Sequence, residues 1–343
     1  MALREVKISV IMACYNSAPY LEEAIDSIVG QTFTEWELLA IDDCSTDNTL
    51  SILKKYQQRD SRIVIIRLDR NSGVATARNK GIENARGQWL SILDSDDVAM
   101  PTRLEEQYAA SLKHENATIL LSDAAFIDVN GRLIKEYHYP SDHKSLVRRI
   151  ERRKVFPPHS SMMYPKAAVV AVGGFNPLYV LAQDHDLWLR LLEKGELFSV
   201  PKVLVKIRKH GDSISNMDAG EKQLIHSFAG SICHFLRIAG NPTPADGDAA
   251  CWGEFISWLK VEMNRHEVLK KYKIWQNASQ RYFAGTSRLQ GLFSCACYLL
   301  SSRYATVLLY EKLFGFKLSR RLADEWMKGN AHKIQSTASS ARQ

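Results

Sequence analysis

Between Val6 and Leu93, short runs rich in β-branched residues alternate with amphipathic stretches. The runs are Val6–Cys14 (VKISVIMAC), Trp36–Ile41 (WELLAI), Ile63–Arg67 (IVIIR) and Trp89–Leu93 (WLSIL). Runs of this length and content predict strands buried on both faces. Between them, Leu21, Ile25, Ile28 and Val29 share one helical face, and Leu50, Leu53 and Tyr56 share another. A third helix is predicted over Val74–Ala85, after the turn signal Asn71-Ser72-Gly73. Strand and helix in strict alternation constrain the chain to an α/β fold, a mostly parallel sheet flanked by helices. In such sheets ligands bind beyond the carboxyl ends of the strands. Two acidic clusters, Asp42-Asp43 and Asp94-Ser95-Asp96-Asp97, stand at those ends.

Beyond Ile119 the pattern loosens. Asn130-Gly131 predicts a hairpin turn between two short strands. A basic helix carrying Arg148, Arg149, Arg152, Arg153 and Lys154 follows, then a helix over Asp184–Lys194 and a strand over Val203–Arg208. Ser45 or Thr46 is placed to cap the second helix, and Pro101 to start the one after the second acidic cluster. After about Ser215 the sequence turns helical, broken by the loop Asn241–Asp248. The expected division is a catalytic domain over 1–215 and a helical, basic C-terminal region over 216–343.

An acid at a strand's carboxyl end suits a nucleotide's base or ribose. Three carboxylates within four residues, Asp94, Asp96 and Asp97, repel one another unless a cation is present. A hard divalent ion such as Mn²⁺ or Mg²⁺ meets that need and bridges to a diphosphate. Each cluster alone also fits a solvated turn or a helix cap. Their joint placement at strand ends favours a ligand.

At this point the chain resembles the family 2 inverting glycosyltransferases, which have the GT-A fold. The resemblance is carried by SVIMACYN (Ser9–Asn16), QTFTEWELLAIDDCSTDNT (Gln31–Thr49), GVATARNKGIENARG (Gly73–Gly87), LDSDD (Leu93–Asp97), QDHDLWLRL (Gln183–Leu191) and IRKHGDSIS (Ile207–Ser215). It covers roughly residues 6 to 215 in order and spacing. It implies a nucleotide-sugar donor, UDP-linked, and an acceptor that is a glycan or a lipid-linked glycan. Tyr15 and Asp43 would line the base pocket. Arg78 would lie near the base or diphosphate, and Asp94, with Ser95, would complete the donor-binding set. Asp96 would bind the metal, joined by His210, and Asp97 either belongs to the site or caps the following helix. Asp184 would be the catalytic base, with Asp186 its nearby rival. Where many members have Glu-Asp, this chain has Gln183-Asp184. His159-Ser160 would border the acceptor site, and Trp188 and Leu191 would pack the base helix into the core.

The net charge of +7 is unevenly spread: residues 271–343 hold twelve Lys and Arg against three acids, a net of +9, which leaves the preceding residues at −2. The segment Leu289–Leu322 intersperses apolar and aromatic residues with Arg303, Lys312, Lys317, Arg320 and Arg321. It is read either as an amphipathic helix on an anionic membrane surface or as a helix packed against protein. The six cysteines form no CxxC pair, and no apolar run reaches the roughly 18 residues of a membrane span. A cytoplasmic protein, attached at the inner face of the membrane, is expected. No helix-turn-helix, zinc or RNA-binding signature supports a nucleic-acid partner. A nucleotidyltransferase would carry a Gly-rich loop where Cys14-Tyr15-Asn16-Ser17 stands. A non-catalytic nucleotide-sugar binder or assembly partner is the alternative, and it has no need of a base at Asp184.

Overall fold

In the computed structural model, the residues described are 5–151, 157–210, 220–270, 272–273 and 316–340. They fall into two compact units, Met1–Arg148 with Phe156–Ser213 and Arg149–Val155 with Ile214–Gln343.

The first unit is built on one nine-stranded mixed sheet with main-path order β3-β2-β1-β4-β8-β6-β9-β5 and β7 paired to β6. Its parallel half is β1 (Ile8–Cys14), β2 (Trp36–Asp42), β3 (Ile63–Arg67) and β4 (Trp89–Ile92). Every residue of β2 is buried, and all but one of β1, as strands covered on both faces require. Helices α1 (Ala18–Val29), α2 (Thr49–Arg59) and α3 (Val74–Asn84) connect these strands. The chain runs outward from β1 to β3 and then returns to β4 on the other side of β1. The crevice between the β1 and β4 ends is therefore the switch point at which such sheets bind ligands.

Two backbone positions in GVATARNKGIENARG explain their glycines. Gly73 holds φ +84° at the start of α3, and a Cβ on Gly87 would come within 2.5 Å of the Ser9 nitrogen. Beneath that contact the buried Ser9 hydroxyl donates to Glu37, whose carboxylate also accepts from the Arg86 backbone and guanidinium.

The other half of the sheet departs from the parallel expectation. β5 (Val98–Ala99), β6 (Ala117–Ile127), β7 (Leu133–Tyr137), β8 (Met163–Pro165) and β9 (Glu196–Arg208) pair antiparallel, except for β6 with β9. β6 is 11 residues long rather than short, and β9 starts seven residues before the expected Val203. The β6–β9 register slips at Ser122/Asp123, opposite Pro201-Lys202, because proline offers no ladder N–H. The remaining helices of this region are α4 (Arg103–Ser111), α5 (His143–Glu151), α6 (Lys166–Ala171) and α7 (Gln183–Leu192). Asn48, not Ser45 or Thr46, is the N-cap of α2. Helix α4 starts two residues after Pro101, with Thr102 as N-cap.

The second unit contains α8 (Gly220–Ile238), α9 (Ala249–Arg265) and α10 (Phe316–Ser340). Asp248 caps α9 by accepting from the Cys251 N–H. Trp252, Phe255, Trp258 and Trp326 form an aromatic cluster with centroids 5.0 to 5.9 Å apart. Among the described residues no helix is long and apolar enough to cross a membrane. Cys14, Cys44, Cys233 and Cys251 are free thiols. Of the segment expected to touch membrane, residues 289–315 lie outside the described residues.

Candidate active site

Three loops meet at the switch point. The first follows β1, where Asn16 takes a left-handed backbone (φ 49°) and its side-chain oxygen accepts from the Thr46 N–H. That turn leaves Tyr15 half exposed (50%) at the mouth of the crevice. The second follows β2. Asp43 is buried, and its two oxygens accept the Ser72 and Gly73 N–H groups at 2.7 and 2.9 Å. This carboxylate braces the start of α3 and keeps only its remaining lone pairs for a base.

The third loop, Asp94–Asp97, follows β4. Each of its acids has a different partner, and among the described residues only Asp94 faces a fixed positive charge. Asp94 accepts from Arg78 Nη2 at 2.7 Å. Asp96 lies 2.8 Å from His210 Nε2. Asp97 is buried, accepts from the Arg208 N–H at 2.9 Å and takes the Ser160 hydroxyl hydrogen. It therefore does not cap α4. Burial, with Asp96 and Asp94 adding to it, holds the Asp97 carboxyl well above the ordinary carboxylate range. Asp96 is pushed up by burial and by Asp94, against the pull of His210. Ser95 reaches across to Ser17, with hydroxyls 2.7 Å apart, and so ties the β4 loop to the β1 loop.

Two residues outside the expected set, Arg208 and Arg103, hold this loop, together with Ser160, whose expected place is elsewhere. Arg208 is buried; its Nε donates to the Asp96 carbonyl, its Nη1 to the Asp128 and Val129 carbonyls, and its Nη2 to Glu23. Arg103, fully buried, donates to the Ile92 and Met162 carbonyls beneath the loop. Burial lowers the Arg103 guanidinium to about 10. Ser160 accepts the Asp94 N–H at 3.0 Å while donating to Asp97. His159 and Ser160 are both buried, which places them under the aspartate loop instead of on an acceptor surface. Burial, with Arg78 and Arg103 nearby, keeps His159 neutral. Ser160→Ala is expected to cost about 1–3 kcal/mol of unfolding free energy, read from the urea midpoint, because it orphans one donor and one acceptor.

Ala182 adopts a left-handed backbone (φ 56°) just before α7, a conformation rare for a residue with a Cβ. It turns Gln183 and Asp184 into the first turn of α7. The Asp184 carboxyl is half-buried and accepts the His185 N–H. Burial pushes its pKa up; Arg78 pulls it down and Asp94 opposes that pull, so both charges stand within electrostatic reach. Asp186 is different: one of its oxygens takes both Nε and Nη2 of Arg190 at 2.9 and 2.6 Å. Trp188 and Leu191 are fully buried, as expected, with Trp188 donating to the Tyr164 hydroxyl.

A cation would fit at Asp96 and His210, where an oxygen and a nitrogen donor already stand together and the carboxyl is pushed up for want of compensation. In the second unit, Glu262, His266 and Glu325 also converge, but Arg265 and Arg321 already occupy their polar atoms.

The profile of glycosyl transferase family 2 matches residues 9–175. An uncharacterized glycosyltransferase of Methanocaldococcus jannaschii is 34% identical over 205 residues, covering 59% of this chain and 70% of that one. The O-antigen biosynthesis glycosyltransferase WbnJ of Escherichia coli is 33% identical over 194 residues, covering 54% of this chain and 72% of its own. Among solved structures, the 1–349 fragment of S. aureus TarS in complex with UDP-GlcNAc is similar at a TM-score of 0.58 and 20% identity, over 94% of this chain and 92% of that one. The Pyrobaculum calidifontis mannosyltransferase PcManGT, in complex with GDP-Man and Mn²⁺, is similar at a TM-score of 0.52 and 16% identity, over 94% and 88%.

Proposed function

The chain belongs to glycosyl transferase family 2, and from that premise we propose that it moves a sugar from a UDP-linked donor, with inversion, to a hydroxyl of a glycan or lipid-linked acceptor. One observation carries this reading. The raised carboxyl of Asp184 lies within electrostatic reach of Arg78 and Asp94, and those two are bonded to each other. A displacement at the anomeric carbon needs a base opposite a stabilised leaving group; in this reading Asp184 is that base and Arg78 stabilises the leaving group.

In the proposed roles, the exposed Tyr15 ring and the spare lone pairs of Asp43 receive the base. Asp94 and Ser95 take the donor's sugar or ribose. Arg78 offers the diphosphate its unused N–H groups. Asp96 and His210 would hold a divalent ion, Mn²⁺ or Mg²⁺. When bound, that ion neutralises charge on the leaving nucleoside diphosphate. Asp184 takes the acceptor hydroxyl's proton. TarS bound to UDP-GlcNAc supports the uridine donor, the mannosyltransferase complex supports the metal, and WbnJ supports a cell-surface glycan as acceptor.

The test is nucleotide release from UDP-, GDP- and TDP-sugars in Mn²⁺, Mg²⁺ or EDTA. Slow hydrolysis of a UDP-sugar that stops in EDTA and in Asp96→Ala is the expected result. No hydrolysis, together with no nucleotide binding by calorimetry, would remove the proposal.

A further inference from the structure

The hairpin of β6 and β7 carries a surface that donor chemistry leaves unused. All five residues of β7 are exposed. Val129, Leu133, Ile134 and Tyr137 expose 48, 61, 58 and 40% of their surface, a concentration of apolar area on one short ribbon. Cations are interleaved with it. Lys135 Nζ lies 4.4 Å over the Tyr137 ring, Tyr137 lies 4.9 Å from Phe126, and Lys209 Nζ lies 5.0 Å over Phe126. Arg132 is exposed beside them. Of the nearby acids, Asp128 is engaged by the Asn130 and Arg132 N–H groups. Glu136 lies opposite Lys135 and Tyr137, on the face that Leu133 shares, since Glu136 pairs with Ala125 and Leu133 with Ile127, so the aliphatic tip and the cations meet a bilayer only if the ribbon enters it end-on.

We propose that this hairpin is the surface by which the protein docks on an anionic lipid bilayer. Exposed aliphatics, a tyrosine and flanking lysines are the composition that enters a headgroup region, with cations toward lipid phosphate. A sugar-stacking platform fits less well, because ammonium groups already cover the Phe126 and Tyr137 faces. A second copy fits less well too: an isologous pairing of β7 edges would bring like cations together. The purpose rests on the lipid-linked acceptor proposed above, which a bilayer would present. The link to the site is short, since the Arg208 guanidinium bonds both the Asp128 and Val129 carbonyls and the Asp96 carbonyl.

The full chain is spun down with vesicles of phosphatidylglycerol and phosphatidylcholine, or phosphatidylcholine alone, at low and high salt. Solution hydrolysis of the donor is followed on the same samples, so that loss of docking and loss of transferase chemistry are read separately. Binding to the anionic vesicles, weakened by salt, is expected. Leu133→Ser/Ile134→Ser and Lys135→Glu should each lower partitioning by roughly tenfold or more, with hydrolysis and circular dichroism unchanged. The proposal is overturned if the wild type ignores anionic vesicles or if both variants bind them as the wild type does. It is equally overturned if light scattering shows a dimer that the double variant dissolves without lipid binding in either protein.

Discussion

Asp184→Asn is expected to lower the transfer rate about 10³-fold while donor affinity, measured by calorimetry, stays within a few-fold. The amide keeps the shape of the carboxyl, and its oxygen can still accept the His185 N–H that Asp184 now accepts at 2.7 Å. What it loses is the capacity to take a proton. A variant retaining more than a tenth of the wild-type rate would show that the base lies elsewhere. Asp186 is a poor substitute, because Arg190 holds its carboxylate in a two-pronged contact.

The pH profile gives a second readout. Burial raises the Asp184 pKa from its ordinary 3.8. A base works only when deprotonated, so the rate should fall as pH drops through this raised value. The acid limb of the transfer rate should therefore lie above that of an unperturbed aspartate, and Asp184→Asn should abolish it.

How far the sequence reveals this follows from what each element depends on. β1, β2 and β4 are legible because they are largely buried on both faces, and the part-buried edge strand β3 because it keeps the β-branched run IVIIR; all four are flanked by amphipathic helices. β5 and β8, two and three residues long, carry no period, and Pro201 hides the first half of β9. The aspartate loop stands out because three acids gather within four residues at a strand end, whereas His210 is reached only through the family resemblance. The braces are not legible, because they are long-range contacts: Ser160 meets Asp97 across 63 residues, and Arg208 meets it across 111. One local signal does exist. Arg208 ends an apolar strand whose neighbour Ile207 is buried, and an arginine there must find oxygen partners. The reading of Asp97 as a helix cap fails for a related reason: the backbone turns from Asp94 to Asp97 and points that carboxyl inward, toward Ser160.

Arg78→Met should cost about 10²–10³ in kcat/KM, move the acid limb to higher pH, and lower the unfolding free energy by no more than about 1 kcal/mol. Arg78 is buried, with Nη2 on Asp94, yet among the described residues its Nε and Nη1 have no hydrogen-bond partner. A buried guanidinium with unused donors is unfavourable for the fold. Its rigid fork suits an incoming phosphate, and the proposed donor-binding role would account for keeping it there. Methionine removes that desolvation cost, and the Asp94 side chain, 37% exposed, can turn to water instead. Arg78 is also the largest influence lowering the Asp184 pKa. Without it, burial and Asp94 act unopposed from that direction, and part of the base becomes protonated at a given pH. A purely structural arginine would behave in the opposite way: its loss would drop the urea midpoint and leave the acid limb in place. Measuring the pH–rate profile and the unfolding midpoint on one preparation therefore separates the two roles.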